Sequence, residues 1–144
     1  MALIDDLIRD ECVDGKINFT PYRDTKGNLT IGIGTNLDAG ITEDEARYLC
    51  QNRIAIVKAQ IARVLPWMLY SPALVGARHD ALCNMAFNMG FARLLGFHKM
   101  LSALKANDWQ AAHDEALASE WAAEVGDRAK RIAATFLTGD AALV

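Results

Sequence analysis

The chain of 144 residues has few prolines, and its three cysteines are Cys12, Cys50 and Cys83. An odd number of thiols without a close pair argues against a disulfide framework. No Cys-x-x-Cys or Cys/His ligand spacing occurs, and His79, His98 and His113 are scattered, so no metal site is expected. A positive excess is also lacking. The net charge is −3, and no global basic field invites nucleic acid. No window reaches the ~18 apolar residues of a membrane span, so no membrane insertion is expected. Residues 1–6 carry neither a basic stretch nor a long apolar run, so no signal peptide is expected and synthesis in a cytoplasm is. Repeats, low-complexity segments and linkers are absent. What is present, 52 % hydrophobic and 23 % charged residues, is the composition of one globular domain able to bury its own core.

The apolar residues Leu3, Ile4, Leu7 and Ile8 recur at helical spacing, which predicts a short amphipathic helix ending near Gly15. Glu11 follows Leu7 by four and Ile4 by seven, so it shares their face. A carboxyl there is partly desolvated and favours its protonated form, as a general acid must. Next, Leu29, Ile31 and Ile33 alternate with Thr30, Gly32 and Gly34, the period of a strand. Its aliphatic face should pack inward. Its Thr30 face, flanked by glycines, leaves backbone that a ligand can approach closely. Phe19 and Tyr22 suit the partner strand, and residues 24–27 form the turn between the two, with Asp24 at its entrance. Residues 35–40 read as a loop.

Thr42 and Glu45 make a capping box, which predicts a long helix to about Leu65, stopped by Pro66. Ala46, Leu49, Ile54, Val57, Ile61 and Val64 form its apolar stripe. Ser71 and Pro72 open a further helix, apolar nearly all round from Ala73 to Met89, hence a core helix. Asn84 and Asn88 near its end serve either buried backbone groups or a sugar. Short helices are expected over 94–105, 109–117 (capped by Asp108), 120–124 and 128–137 (capped by Asp127), the last ended by Gly139. The fold class is therefore α+β and helix-dominant: a small β-hairpin lobe, roughly 13–50, and a helical lobe, roughly 1–12 plus 66–144. The helix over roughly 42–65 connects them within a single domain, and a ligand cleft between the lobes is expected.

Glu11, the run Tyr22-Arg23-Asp24-Thr25-Lys26-Gly27 and the run Leu29-Thr30-Ile31-Gly32-Ile33-Gly34 together resemble the signature of the phage lysozymes, the endolysins of glycoside hydrolase family 24. The similarity continues through Ala81 to Gly90, Gly96-Phe97, Trp109, Trp121 and Asp127 to Arg131, in the same order along nearly the whole chain. Thr35 stands where many members carry a histidine, and the loop to Ile41 looks short. The resemblance implies a lysozyme-like fold with peptidoglycan in the cleft. It implies Glu11 as acid, Asp24 as the water-directing carboxylate and Thr30 as a third member that helps to hold the water. It also pairs Arg128 with Glu11. Candidate substrate contacts are Tyr22, Gly32, Thr35, Asn36, Phe87, Asn88 and Arg128.

The activity so implied is that of a muramidase cutting the β-1,4 bond between N-acetylmuramic acid and N-acetylglucosamine by inverting acid/base catalysis. It needs no cofactor. The expected setting is phage-induced lysis: a monomer in the host cytoplasm, reaching the periplasm and wall once a holin opens the membrane. Two rivals stand beside it. A lytic transglycosylase would cleave the same bond without water and needs chiefly one acid. A non-catalytic wall-binding domain would not need Glu11, Asp24 and Thr30 together.

Overall fold

A computed structural model describes residues 2–141 as an α+β chain in which helix predominates. Two units are distinguished, Met1–Tyr48 and Leu49–Val144, and the boundary falls inside the longest helix.

In the first unit α1 spans Leu3–Glu11, with Asp5 and Asp6 at the N-terminal end of its dipole and Arg9 at the other. It stops four residues earlier than the periodicity predicts. Cys12 is extended, and Asp14 and Gly15 both take positive φ (53° and 65°), forming a single 3-10 turn at Val13–Gly15. None of the residues of α1 is buried, and Leu3, Ile4 and Leu7 are exposed. Glu11 is exposed too, against the expected burial. Periodicity tells which residues share a face; it does not tell what covers that face.

Strands β1 (Asn18–Arg23), β2 (Leu29–Gly32) and β3 (Thr35–Asn36) form an antiparallel sheet in that order. Residues 35–36, read as loop from the sequence, are thus a third strand, paired Ile31↔Thr35 and Thr30↔Asn36. The inside and outside of β2 also differ from expectation. Thr30 is buried, whereas Leu29, Ile31 and Ile33 are only half-buried. Thr30 lies in the central strand between Tyr22 and Asn36, so neighbours cover it from both sides.

Helix α2 (Glu43–Val64) starts with the expected capping box: the Glu45 N–H donates to Thr42 Oγ1 (3.2 Å) and the Thr42 N–H donates to Glu45 Oε1 (3.1 Å). Only Val57 and Ile61 of its stripe are buried, and Leu49 and Val64 are exposed. Pro66 ends it in a 3-10 turn, Pro66–Leu69.

In the second unit α3 (Ala77–Met89), α4 (Phe91–Leu95), α5 (His98–Lys105), α6 (Trp109–Leu117), α7 (Glu120–Val125) and α8 (Asp127–Thr138) follow with short links. α3 begins later than expected. Ser71 does cap a turn, but Gly76 at φ 99° interrupts the helix. The helix expected over 94–105 is split at Gly96-Phe97 into α4 and α5. Asp108 caps α6 as expected, while Asp127 is the first residue of α8 and Gly126 its cap. α6 packs on α5 and α8, and α3 on α8. The core between them holds Leu82, Met85, Leu94, Leu104, Trp121, Ile132 and Phe136.

A cation is built into this core. Arg78 is buried and donates from Nε to Phe136 O (2.8 Å), from Nη1 to Ala73 O (2.9 Å) and from Nη2 to Leu137 O (3.3 Å). Its guanidinium lies 3.7 Å over the Trp109 ring. The C-terminal carbonyls of α8 have no partner within the helix, and Arg78 supplies one at the negative end of the dipole. Gly139, at φ 78°, leaves the room: a Cβ there would lie 2.7 Å from Arg78 Nη1. Arg78→Leu is expected to cost about 3 kcal/mol in urea unfolding, since buried carbonyls lose their donors. Arg78→Lys should recover only part of that, because an ammonium cannot reach three carbonyls and stack as well.

Candidate active site

The residues with chemistry in the first unit hang on glycines, turns and two buried side chains. Among the described residues of that unit only Cys12 and Thr30 are buried. Cys12 follows Glu11 and points its thiol at Gly32 O (3.8 Å), which holds the end of α1 against the β2–β3 hairpin. Glu11 then lies across Gly34. A Cβ at Gly34 would stand 2.9 Å from Glu11 Oε2 and 3.3 Å from Glu11 Cβ, and φ there is 68°. Only glycine meets both demands.

Asp24 closes the β1–β2 turn on itself. Its N–H donates to Asn28 O (2.9 Å), and its carbonyl accepts from the Gly27 N–H (3.0 Å), with Gly27 at φ 82°. Its carboxylate Oδ1 accepts from the Lys26 N–H (2.9 Å) and the Asn28 N–H (2.8 Å). Oδ2 meets the Asn28 side-chain amide at 3.4 Å, a long contact that leaves it the freer oxygen. The Asn28 N–H, more than any other group, holds the Asp24 carboxyl below the usual carboxylate range. Slight burial opposes it, and the Lys26 N–H, the Asn28 amide and the Lys26 charge assist. Asp24 is therefore ionised at neutral pH, and only weakly basic.

Asn28 also reaches Thr30. The Thr30 hydroxyl donates to Asn28 O (3.0 Å), so its oxygen lone pairs stay available as acceptors. Tyr22, Thr30 and Asn36 are directly opposite one another on β1, β2 and β3, hence on one face of the sheet. The Asn36 side-chain oxygen accepts from the Asp38 N–H (2.9 Å), leaving its NH₂ free to donate. The structure thus brings Asp24 and Thr30 together through Asn28, sets Glu11 on Gly34, and puts Gly32 and Thr35 at the ends of the same hairpin. The sequence did not single out Asn28, Cys12 or Gly34's contact with Glu11. An asparagine four residues after a turn aspartate was the one available signal, and it is a common turn residue.

Phe87, Asn88 and Arg128 belong to the second unit. Arg128 donates from Nε to Asn84 Oδ1 (2.9 Å), and with Asn84, Phe87, Ile54, Val57 and Lys58 it lines a cavity of about 420 Å³. Asn88 Oδ1 accepts from the buried Trp121 indole N–H (2.7 Å), so its oxygen serves the core rather than a ligand.

The phage lysozyme family model matches residues 15–134. This chain belongs to the phage lysozyme family. Its span within the family model takes in Asp24 and Thr30 and begins just after Glu11. Among its relatives is the pre-baseplate central spike protein Gp5 of Enterobacteria phage T4, 31 % identical over 97 % of this chain and 28 % of the spike protein. This lysozyme-family chain thus spans less than a third of that relative's length. It is also 26 % identical to the probable T4-type lysozyme 2 of Dictyostelium discoideum, over 82 % of this chain and 85 % of the relative. The α+β, helix-dominant fold is lysozyme-like, as the motifs imply.

Gly34→Ala in this lysozyme-family chain is expected to lose about 1 kcal/mol or more through its positive φ alone. It should also push the Glu11 carboxylate off its seat. Urea unfolding and turbidity clearing of permeabilised cells measure the two effects. Clearing is expected to fall further than the lost stability accounts for.

Proposed function

We propose that this chain is a muramidase that hydrolyses the β-1,4 bond between N-acetylmuramic acid and N-acetylglucosamine of peptidoglycan by a single inverting displacement. The observation that carries this reading is the state of Asp24. It is a carboxylate held ionised by two backbone N–H groups on Oδ1, with Oδ2 freer, and joined through Asn28 to the Thr30 hydroxyl. Family membership supports the substrate class.

In this reading Glu11 protonates the leaving oxygen. Exposed in the free protein, it is desolvated when the glycan covers it and excludes water. Asp24 Oδ2 and the Thr30 oxygen each accept from the attacking water and orient it. Asp24 is too weak a base to strip the water beforehand, so the proton moves as the bond to the sugar forms. Tyr22 and Asn36, on the Thr30 face of the sheet, border the sugar together with Gly32, while Thr35, opposite Ile31 and so on the other face, meets it through its backbone. Phe87, Asn88 and Arg128 are proposed as further glycan contacts, Asn88 through its NH₂. The enzyme acts as a monomer, and in phage-induced lysis it passes from the host cytoplasm to the periplasm and wall where a holin has opened the membrane.

The likeness to a phage spike protein favours a second setting for the same chemistry, a lysozyme carried in a particle. Recovery of the chain with sedimented particles rather than in the soluble lysate selects that setting.

Glu11→Gln is expected to abolish clearing of outer-membrane-permeabilised cells with an unchanged circular dichroism spectrum, because an amide has no acid proton to give. Asp24→Asn should cost ~10²–10⁴-fold, as losing a general base does. Thr30→Ala should cost less, since one neutral hydrogen bond is worth about 0.5–1.5 kcal/mol. Mass spectrometry of the muropeptides is expected to show hydrated reducing ends. Anhydro ends would make the chain a transglycosylase, and wall binding without product would make it a binding module.

A further inference from the structure

Asp38 lies beyond β3, outside the runs 22–27 and 29–34, yet its carboxylate is tied to both ends of the turn that carries Asp24. Oδ2 accepts from the Leu29 N–H (2.8 Å), just after the turn, and from Arg23 Nη1 (3.2 Å), just before it. Arg23 Nη1 also donates to Gly27 O (3.2 Å) inside the turn. Next to Asp38, the Leu37 N–H donates to Leu29 O (2.7 Å). Asp38's own N–H donates to Asn36 Oδ1 (2.9 Å), tying its backbone to the end of β3. A side-chain oxygen thus takes the place of a backbone acceptor where the β2–β3 ladder runs out.

Stability alone is a poor reason for this arrangement. Arg23 and Asp38 are both more than half exposed, and an exposed pair of this kind is worth about 0–1 kcal/mol. What the network does is hold the entering and leaving chains of the turn at a fixed separation. Between those two chains the Lys26 and Asn28 N–H groups reach Asp24 Oδ1.

We infer that Asp38, acting with Arg23, is a positioning residue for Asp24: it keeps the turn closed on Oδ1 so that Oδ2 is aimed at the water. This rests on Asp24 being the water-directing carboxylate. The charges around the turn are Arg23 on β1, Lys26 within it and Asp38 after β3.

The experiment compares Asp38→Ala, Asp38→Asn and Arg23→Met with wild type by kcat and KM on a soluble peptidoglycan oligomer. The Lys26 and Asn28 amide signals are followed by NMR through an acid titration. Asp38→Ala is expected to lower kcat about 10–100-fold, the scale of a displaced reacting group, with KM nearly unchanged. Both amide signals should move, and the Asp24 midpoint should rise towards the ordinary carboxylate value. Asp38→Asn keeps an oxygen for the Leu29 N–H and should recover most of kcat. Arg23→Met should fall between the two. Unmoved amides, or a loss confined to KM, overturn the inference. If Asp38→Ala does not fold, Arg23→Met decides: unchanged kcat and unchanged amides overturn it. Failure of the underlying reading is separate. It appears as full activity in Asp24→Asn, whereas the amide signals report the brace whether or not Asp24 takes part in the chemistry.

Discussion

The pairing of the Asp24 carboxylate with the Asn28 N–H is the contact on which the rest of the site depends. It closes the β1–β2 turn, lowers the proton affinity of Asp24 and leaves one oxygen less engaged. The same Asn28 takes the Thr30 hydroxyl proton on its carbonyl. One residue of backbone therefore sets the ionisation of a carboxylate and the hydrogen-bonding sense of a hydroxyl. Because these are short, local bonds, no large core is needed to keep the geometry.

The two units achieve order by different means. The second has a continuous apolar core, and even its buried cation, Arg78, is satisfied three times over by carbonyls. Removing a partner there is costly because nothing else can solvate what remains. The first unit, with Cys12 and Thr30 its only buried members among the described residues, relies on turns, glycines and side chains bonded to backbone. Such a unit offers exposed groups to a substrate and yields easily to a lost hydrogen bond, which is why single polar contacts such as that of Asp38 matter in it.

Much of the fold was legible because it rests on local signals. The Thr42/Glu45 box and Asp108 marked helix starts through hydrogen bonds that span three residues, and Pro66 marked an end because it has no N–H to donate. The breaks at Gly76 and at Gly96-Phe97 were missed, since an apolar run continues across both and hides the change of backbone conformation. β3 was missed because two residues carry no periodicity. In the candidate site, Glu11, Asp24 and Thr30 were singled out by resemblance. Periodicity alone assigned Thr30 to an open face and Glu11 to a covered one, and both are otherwise. Burial of a single residue depends on neighbours far along the chain, which spacing does not record. Asn28 and Asp38 were invisible for a related reason: each acts through backbone groups, and any sequence has those.

The central claim is that Asp24 holds a water rather than attacking the sugar itself. An inverting enzyme leaves roughly 6.5–9.5 Å between its carboxylates for that water, against about 5–5.5 Å when one carboxylate is the nucleophile. A carboxylate whose Oδ1 is bound by two N–H groups of its own turn is suited to orienting water, and a hydroxyl beside it forms no glycosyl ester. Proton NMR of the new reducing end, recorded in the first minutes before mutarotation, reads the outcome directly. A water-held mechanism predicts the α-anomer from the β-linked glycan. Initial release of the β-anomer, or a covalent glycosyl adduct on Asp24, would contradict it.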